Sequence, residues 1–333
     1  MKVLLIGGSG VISSAVAAAT LERGMELWVL NRGRHPEHLP ASANSLIADY
    51  ADEAAVKAVI GEHVFDTVVD FNIHYAHQIE KAVRIFTGHT HQYIFISSGT
   101  VYKKPLAHYM ITEDAPLGNL HSHYARNKLA SENALRKAID AGFPGVIVRP
   151  SLTYSDFNML TAINSRVHPY SLIQRMRKGK PIIVHGDGTS LWTITHNTDF
   201  AWGISGLFGN PDTIGEAFHI TSDEVLDWNR IYTEVAHAAG VDANLIHIAS
   251  DFLGECDPDL RESLLGDHAC SAVFDNSKIK SFVPDFACKV PFSEGAKRCV
   301  AWFDADPINR EIMDTEWDAK MDAIIAKYQS KLL

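Results

Sequence analysis

Lys2-Val3-Leu4-Leu5-Ile6-Gly7-Gly8-Ser9-Gly10-Val11-Ile12-Ser13 reads as a short apolar strand, a glycine turn and the start of an Ala-rich stretch that continues to Glu22. Strand, glycine turn and helix in that order predict a nucleotide-binding β–α unit, because glycines let the backbone turn tightly and approach a pyrophosphate. The helix N-terminus then offers free N–H groups and a favourable dipole to the anion. The spacing is Gly7-x-x-Gly10-x-x-Ser13, with serine where a third glycine gives close helix–strand packing. Gly7, Ser9, Gly10, Val11 and Ile12 are the expected pyrophosphate contacts.

Outward from the turn, Glu26-Leu27-Trp28-Val29-Leu30-Asn31-Arg32 predicts the next strand. Its end lies about twenty residues on, where an acid would bind the ribose 2′-hydroxyl of NAD. That acid is absent. Asn31 is neutral, and Arg32 and Arg34 are cationic. A guanidinium offers a planar fork of donors to a 2′-phosphate, so the cofactor expectation is NAD(P), tilted toward NADP. Ile47-Ala48-Asp49-Tyr50 ends a further strand, with Asp49 placed to accept from the adenine amine and Tyr50 beside it. Val68-Val69-Asp70-Phe71-Asn72 ends a fourth, which puts Asn72 beside the pyrophosphate and ribose.

Tyr124 and Lys128 stand in His123-Tyr124-Ala125-Arg126-Asn127-Lys128, downstream of Ser97-Ser98-Gly99-Thr100. Residues four apart share a helix face. A lysine ammonium there is expected to lower the tyrosine pKa, since an opposite charge favours the phenolate. Tyr124 can then exchange a proton with a substrate hydroxyl that Ser98 holds in place. A Y-x-x-x-K spacing by itself is a weak signal and reads first as an amphipathic helix with a surface Tyr and Lys. The order of the groups decides otherwise. The glycine turn, Asn31-Arg32, Asp49, Ser98, Tyr124, Lys128 and Arg149-Pro150 all fall at successive strand ends or on the following helix, on the rim where open α/β sheets bind ligands.

With these motifs in place, the chain resembles the extended short-chain dehydrogenase/reductases of the NAD-dependent epimerase/dehydratase kind along nearly its whole length. Phe95-Ile96-Ser97-Ser98-Gly99-Thr100-Val101-Tyr102 is similar to the family's active-site serine strand, and Ile111-Thr112-Glu113-Asp114-Ala115-Pro116-Leu117 to its acidic loop. Val146 to Pro150 resembles the strand that meets the nicotinamide, and Gly186-Asp187-Gly188-Thr189 to His196, with Asp199, the second-half signature. The resemblance implies that Ser98 orients substrate, Tyr124 is the acid/base, Lys128 binds the nicotinamide ribose, and Thr100 is a second hydroxyl at the same strand end. It also implies a sugar or polyol-like substrate and an epimerase, with a dehydrogenase or reductase as the alternative.

Three departures narrow that reading. Trp192 stands where nucleotide-sugar members carry an arginine that grips a diphosphate. A neutral aromatic ring cannot form an ion pair with phosphate, but it can stack on a sugar or fill a domain interface. Gly99-Thr100 replaces the Asp-Glu pair of the sugar 4,6-dehydratases, so elimination of water lacks its acid. Lys103-Lys104-Pro105 follows Val-Tyr in place of the usual glycine. The chloroplast RNA-binding relatives of this fold are also similar in Leu30-Asn31-Arg32-Gly33 and Asp223-Glu224-Val225-Leu226-Asp227-Trp228. A binding protein without catalysis is therefore a further alternative. His121 and His123 flank Tyr124 and are read either as substrate contacts or as plain surface residues.

Composition limits the remaining choices. The 333 residues suggest about two domains: a doubly wound parallel α/β sheet of the Rossmann type over 1–150 plus about 190–215, and a smaller α/β substrate domain over about 151–189 and 216–333. A net charge of −10 argues against a nucleic-acid surface. Cys256, Cys270, Cys288 and Cys299 have no short paired spacing and read as reduced thiols, neither a zinc site nor a disulfide framework. His74 and His77 have no evident third partner for a metal, so no metal is expected. The chain enters a strand at once and holds no apolar run near the roughly eighteen residues of a membrane helix. A cytoplasmic protein without signal peptide or membrane span is expected, acting on a small molecule and forming a homodimer. A charged helix lies within Asn158–Lys180, with Arg175, Arg177, Lys178 and Lys180 expected on a solvated face. Asp306-Pro307 is expected to cap a final helix carrying Met313, Trp317, Met321, Ile324 and Tyr328.

Overall fold

The computed structural model describes residues 1–34 and 39–331. Seven parallel strands form the main sheet: β1 (Lys2–Ile6), β2 (Glu26–Asn31), β3 (Asn44–Ile47), β4 (Thr67–Asp70), β5 (Tyr93–Ile96), β7 (Gly145–Pro150) and β12 (Ala217–Ile220). Their order is β12-β7-β5-β4-β1-β2-β3. The strands are short apolar runs because both faces are covered. Val3 and Leu5 of β1 join one core with α1 (Val11–Glu22) and α6 (Asn197–Ser205). Leu4 and Ile6 join the opposite core with α2 (Glu53–Ile60), α3 (Ala76–Phe86) and α4 (His123–Asp140). The strand order reverses between β1 and β4, which opens a crevice at the carboxyl ends of these strands.

The second domain is built from small pieces. β6 (Met110–Ile111) pairs with β15 (Val273–Phe274), β8 (Leu152–Tyr154) with β11 (Ile194–His196) and β9 (Ile182–His185) with β14 (Leu245–Ile248), all parallel. β10 (Leu191–Trp192) and β13 (Leu226–Asp227) run antiparallel. Its core joins α5 (Tyr170–Arg177), α7 (Trp228–Ala238) and the helix Phe292–Asp304, through residues such as Ile173, Trp228, Val235 and Phe292.

The sequence-based boundary near residue 215 is corrected by two observations. β12 completes the main sheet beside β7, and Ile279, Val283 and Phe286 pack into the same core as α1 and α6. Sheet membership is decided by long-range pairing, which the short run Ala217-Phe218-His219-Ile220 does not announce. The charged helix also differs from expectation. Arg175 is buried, and Nη1 pairs with Asp318 and Nη2 with Asp322, while Arg177 pairs with Asp304. At the C-terminal end, Asp306-Pro307 starts only the short turn Pro307–Arg310. The final helix is Thr315–Ser330, capped by Asp314, whose carboxylate accepts from the Trp317 amide at 2.9 Å. Among the described residues no helix is long and apolar enough to cross a membrane.

Candidate active site

The glycine turn leaves β1 with positive φ at Gly7 (102°) and Gly8 (142°), the region that favours glycine. A Cβ on Gly8 would lie 2.7 Å from Val29 Cγ1, so the loop presses directly on β2. Ser13, in place of the third glycine, is buried, and its Oγ accepts from the Gly10 amide at 3.0 Å. Val11 and Ile12, the first residues of α1, line the cleft described below. Their first-turn amides lack partners within the helix, which suits a pyrophosphate. Ser9 and Gly10 are exposed at the turn.

Along the adenosine side, Asn31 ends β2 and its Oδ1 accepts from the Gly33 amide at 2.7 Å. Arg32 and Arg34 are exposed beside it. Asp49 is exposed and accepts from the Ala51 amide at 2.9 Å. The Tyr50 hydroxyl donates to the buried Asp70 carboxylate, which also accepts from Tyr93 at 2.8 Å. Asn72 follows β4 and faces Gly7, whose Cβ would meet the Asn72 amide at 3.5 Å.

The three expected catalytic residues meet on one wall. Ser98 follows β5 and accepts from the Thr100 hydroxyl at 3.0 Å and the Thr100 amide at 3.2 Å. α4 begins under Ser122, whose Oγ caps the Ala125 amide at 3.1 Å. Lys128 is buried on α4 and donates to the Ile73 carbonyl at 2.6 Å and the Ile96 carbonyl at 2.9 Å. Its Nζ sits 5.7 Å from the Tyr124 ring centroid. Burial pulls the Lys128 pKa down to about 8, against the opposing pull of Asp70 and Glu132.

Tyr124 departs from expectation in its ionisation. The residue is 44 % exposed, yet its phenol lies against cleft walls that desolvate it. That desolvation, with a smaller push from Asp267, raises its pKa, and the nearby Ser98 hydroxyl offsets only part of the rise. The expected lowering by Lys128 is not seen: its ammonium is buried and bound to the Ile73 and Ile96 carbonyls. Tyr124 therefore holds its proton in the free site.

The cleft has a volume of about 700 Å³ and runs from Gly10 and Val11, past Ser98, Thr100, Tyr124, Lys128 and Pro150, to Trp192 and Asp267. Trp192 does two things at once. It lines the cleft, and it is only 2 % exposed because its ring packs against His268 at 4.9 Å and Trp228 at 5.5 Å. His123 is not brought to this wall: it is exposed and engages Asn127 at 3.2 Å on the outer face of α4.

Arg149, read from the sequence as a rim group beside Pro150, points into the protein. It forms a forked pair with Glu132 at 2.9 and 2.7 Å, and Glu132 also accepts from Ser97 at 2.6 Å. Arg149 further donates to the Tyr102 hydroxyl at 2.7 Å, and Tyr102 contacts His219. Burial, with the Arg149 charge, pulls the His219 pKa down to about 3, so this imidazole is neutral. The network fixes the floor under Ser98. Sequence reasoning missed Glu262, Asp267 and His268, which the second domain delivers to the cleft. Glu262 accepts from Ser122 Oγ and from the Tyr124 amide, both at 3.1 Å, so it clamps the start of α4.

The groove suits a nicotinamide dinucleotide: the glycine turn takes positive φ at Gly7 and Gly8, α1 opens onto the cleft, and Lys128 lies beyond it. Comparison with known proteins agrees. The chain belongs to the NAD-dependent epimerase/dehydratase family, whose sequence model matches residues 3–221. It is 25% identical over 259 residues to the 2'-dehydrokanamycin reductase of Streptomyces kanamyceticus, covering 77% of this chain and 71% of that protein. It is 25% identical over 252 residues to the chloroplast stem-loop binding protein of 41 kDa b of Arabidopsis thaliana, covering 72% of this chain and 63% of that one. The fold matches UDP-glucuronic acid 4-epimerase from Bacillus cereus in complex with NAD, with a TM-score of 0.70, 18% identity, and 92% and 99% of the two chains covered. The protein is an NAD(P)-dependent enzyme.

Proposed function

We propose that the enzyme interconverts a hydroxyl and a ketone on a sugar or polyol-like substrate that carries no nucleotide diphosphate. The observation that carries this reading is the meeting of Ser98, Tyr124 and Lys128 on one cleft wall beside the glycine turn. When bound, the nicotinamide cofactor supplies or accepts the hydride. The α1 N-terminus would hold its pyrophosphate. Lys128 has two of its three N–H groups engaged, which leaves one for the nicotinamide ribose. Ser98 and Thr100 offer hydroxyls to the substrate oxygen, and Tyr124 passes a proton to or from it.

One observation favours net reduction: one curated relative is a reductase of a dehydrokanamycin. Tyr124 is protonated in the free site and can donate to a ketone oxygen in either reading. The epimerase reading uses the same residues and requires the cofactor to stay bound through a closed cycle. Mass spectrometry of the denatured purified protein separates the two, since retained cofactor marks an epimerase. Exposed Arg32 and the missing ribose acid support NADP over NAD.

The central test is Tyr124→Phe. Turnover should be lost while cofactor binding persists, and undiminished turnover would overturn the assignment. A thermal-shift screen of cofactor-loaded protein tests the substrate class, because a ligand of the folded state raises apparent stability. Stabilisation by a UDP-sugar alone would restore a nucleotide-sugar substrate.

A further inference from the structure

We propose that Asp267 selects the substrate, reading the hydroxyls of a neutral, polyhydroxylated ring at the end of the cleft beyond Ser98 and Tyr124, with Trp192 as the complementary donor. The proposal rests on the hydride-transfer reading of the same cleft.

Asp267 lines the cleft with its side chain 14% exposed. Its one close partner among the described residues is Lys104, in a long ion pair. The nearest cation, Lys104 Nζ, stands at 3.6 Å, is 1% exposed and has no hydrogen-bond partner of its own. Trp192 Nε1 is likewise buried and unpartnered, on a ring that forms part of the same cleft. Buried polar groups are almost always satisfied, so an unpartnered indole N–H beside a long Lys104–Asp267 ion pair at a cleft points to a ligand.

Their mixed character identifies its chemistry. A phosphate or carboxylate would suit the Lys104 and Trp192 donors but meet the Asp267 charge. An ammonium would suit Asp267 but offer nothing to the Trp192 N–H, and it would face Lys104. A hydroxyl both donates and accepts, so adjacent ring hydroxyls satisfy the carboxylate and the indole together. Phe274 and Leu160 supply apolar walls for the ring. Of the other charges on this wall, Glu262 is engaged with Ser122 and the Tyr124 amide, while Arg166 and Asp259 are exposed. Burial raises the Asp267 pKa to about 6, with Lys104 opposing, so the group is ionised at neutral pH.

The placement is rigid. Asp267 sits on a single π-helical turn, Leu264–His268, a feature found frequently at functional sites. The Asn119 amide donates both to the Thr100 carbonyl at 2.8 Å and to the Gly266 carbonyl at 2.6 Å. The turn also presses on the start of α4, since a Cβ on Gly266 would lie 3.0 Å from Ser122 Cβ. Asp267 is therefore held at a fixed distance from the reacting hydroxyls.

The test measures binding rather than turnover, so its failure is distinct from failure of the hydride-transfer reading. Cofactor-saturated protein is titrated by saturation-transfer NMR with neutral methyl pyranosides, the corresponding glycuronates, the 2-amino-2-deoxy glycosides and UDP-glucose. Neutral pyranosides should bind best. Asp267→Asn should weaken them about tenfold, as expected for loss of a charge-assisted hydrogen bond. Trp192→Phe, which keeps an aromatic ring but removes the N–H, should weaken them several-fold. Equal or tighter binding of the charged ligands, no binding of any neutral pyranoside, or unchanged affinity in Asp267→Asn would each overturn the proposal. If Asp267→Asn fails to fold, unchanged affinity in Trp192→Phe overturns it alone.

Discussion

Glu132 meets Arg149 through two parallel hydrogen bonds, and neither side chain is exposed. The pair ties α4, which carries Tyr124 and Lys128, to β7. Removing one partner leaves an uncompensated buried charge, which costs about 3–5 kcal/mol. Glu132→Ala should therefore lower the urea-derived unfolding free energy by that amount. A loss below about 1 kcal/mol would show that Arg149 finds water or another acceptor.

Lys128 gives the protein a specific pH signature. Its folded pKa lies near 8, below the ordinary value of 10.5. Below pH 8 both folded and unfolded chains are protonated, and the penalty for burying the charge is fully present. Between about 8 and 10.5 the unfolded chain binds the extra proton, so stability rises with pH. The shift corresponds to roughly 3 kcal/mol. Lys128→Met should remove this rise, and the difference between the two stability curves isolates it from the tyrosines. Parallel curves would mean that Lys128 titrates normally.

Gly8 and Gly10 should respond differently to alanine. At Gly8 the new methyl meets Val29 at 2.7 Å on a backbone with φ of 142°. Overpacking and strain together should cost at least about 1–3 kcal/mol, read as a fall in Tm. At Gly10 φ is −84°, and the methyl finds only Ser13 Oγ at 3.4 Å. Gly10→Ala should keep Tm but weaken dinucleotide binding, because the backbone no longer admits the pyrophosphate closely. Equal effects on both properties in both variants would contradict this division.

Arg32→Ala should weaken NADP by about ten- to hundredfold, as expected for a charged hydrogen-bonding pair, and leave NAD nearly unchanged. Fluorescence titration with each reduced cofactor decides. Equal losses, or a wild-type preference for NAD, would assign Arg32 to the solvent.

The parts of this protein that could be read from the sequence are those with local signatures. The glycine turn lies between an apolar strand and a helix, and Tyr124 and Lys128 lie four apart on α4, so their placement on one helix face follows from short-range spacing. Arg149 misled because it adjoins Pro150 at a strand end, and nothing nearby identifies Glu132 as its partner. Asp267 was invisible for a related reason. It reaches the cleft on a single turn of the second domain, and only the packing of Gly266 against Ser122 shows where that turn points. β12 was assigned to the wrong domain because a four-residue run such as Ala217-Phe218-His219-Ile220 carries no mark of the sheet it joins.

The chain leaves the main sheet, returns at α6 and β12, leaves again after residue 221, and returns once more with Ile279, Val283 and Phe286 before its last helices rejoin the second core. No single cut separates the two domains, and neither core is complete without segments from both halves of the chain. The two cores should therefore melt as one cooperative unit, in a single calorimetric transition. A ligand that grips only the substrate end would then protect amides in β1 from global exchange as effectively as one bound at the glycine turn.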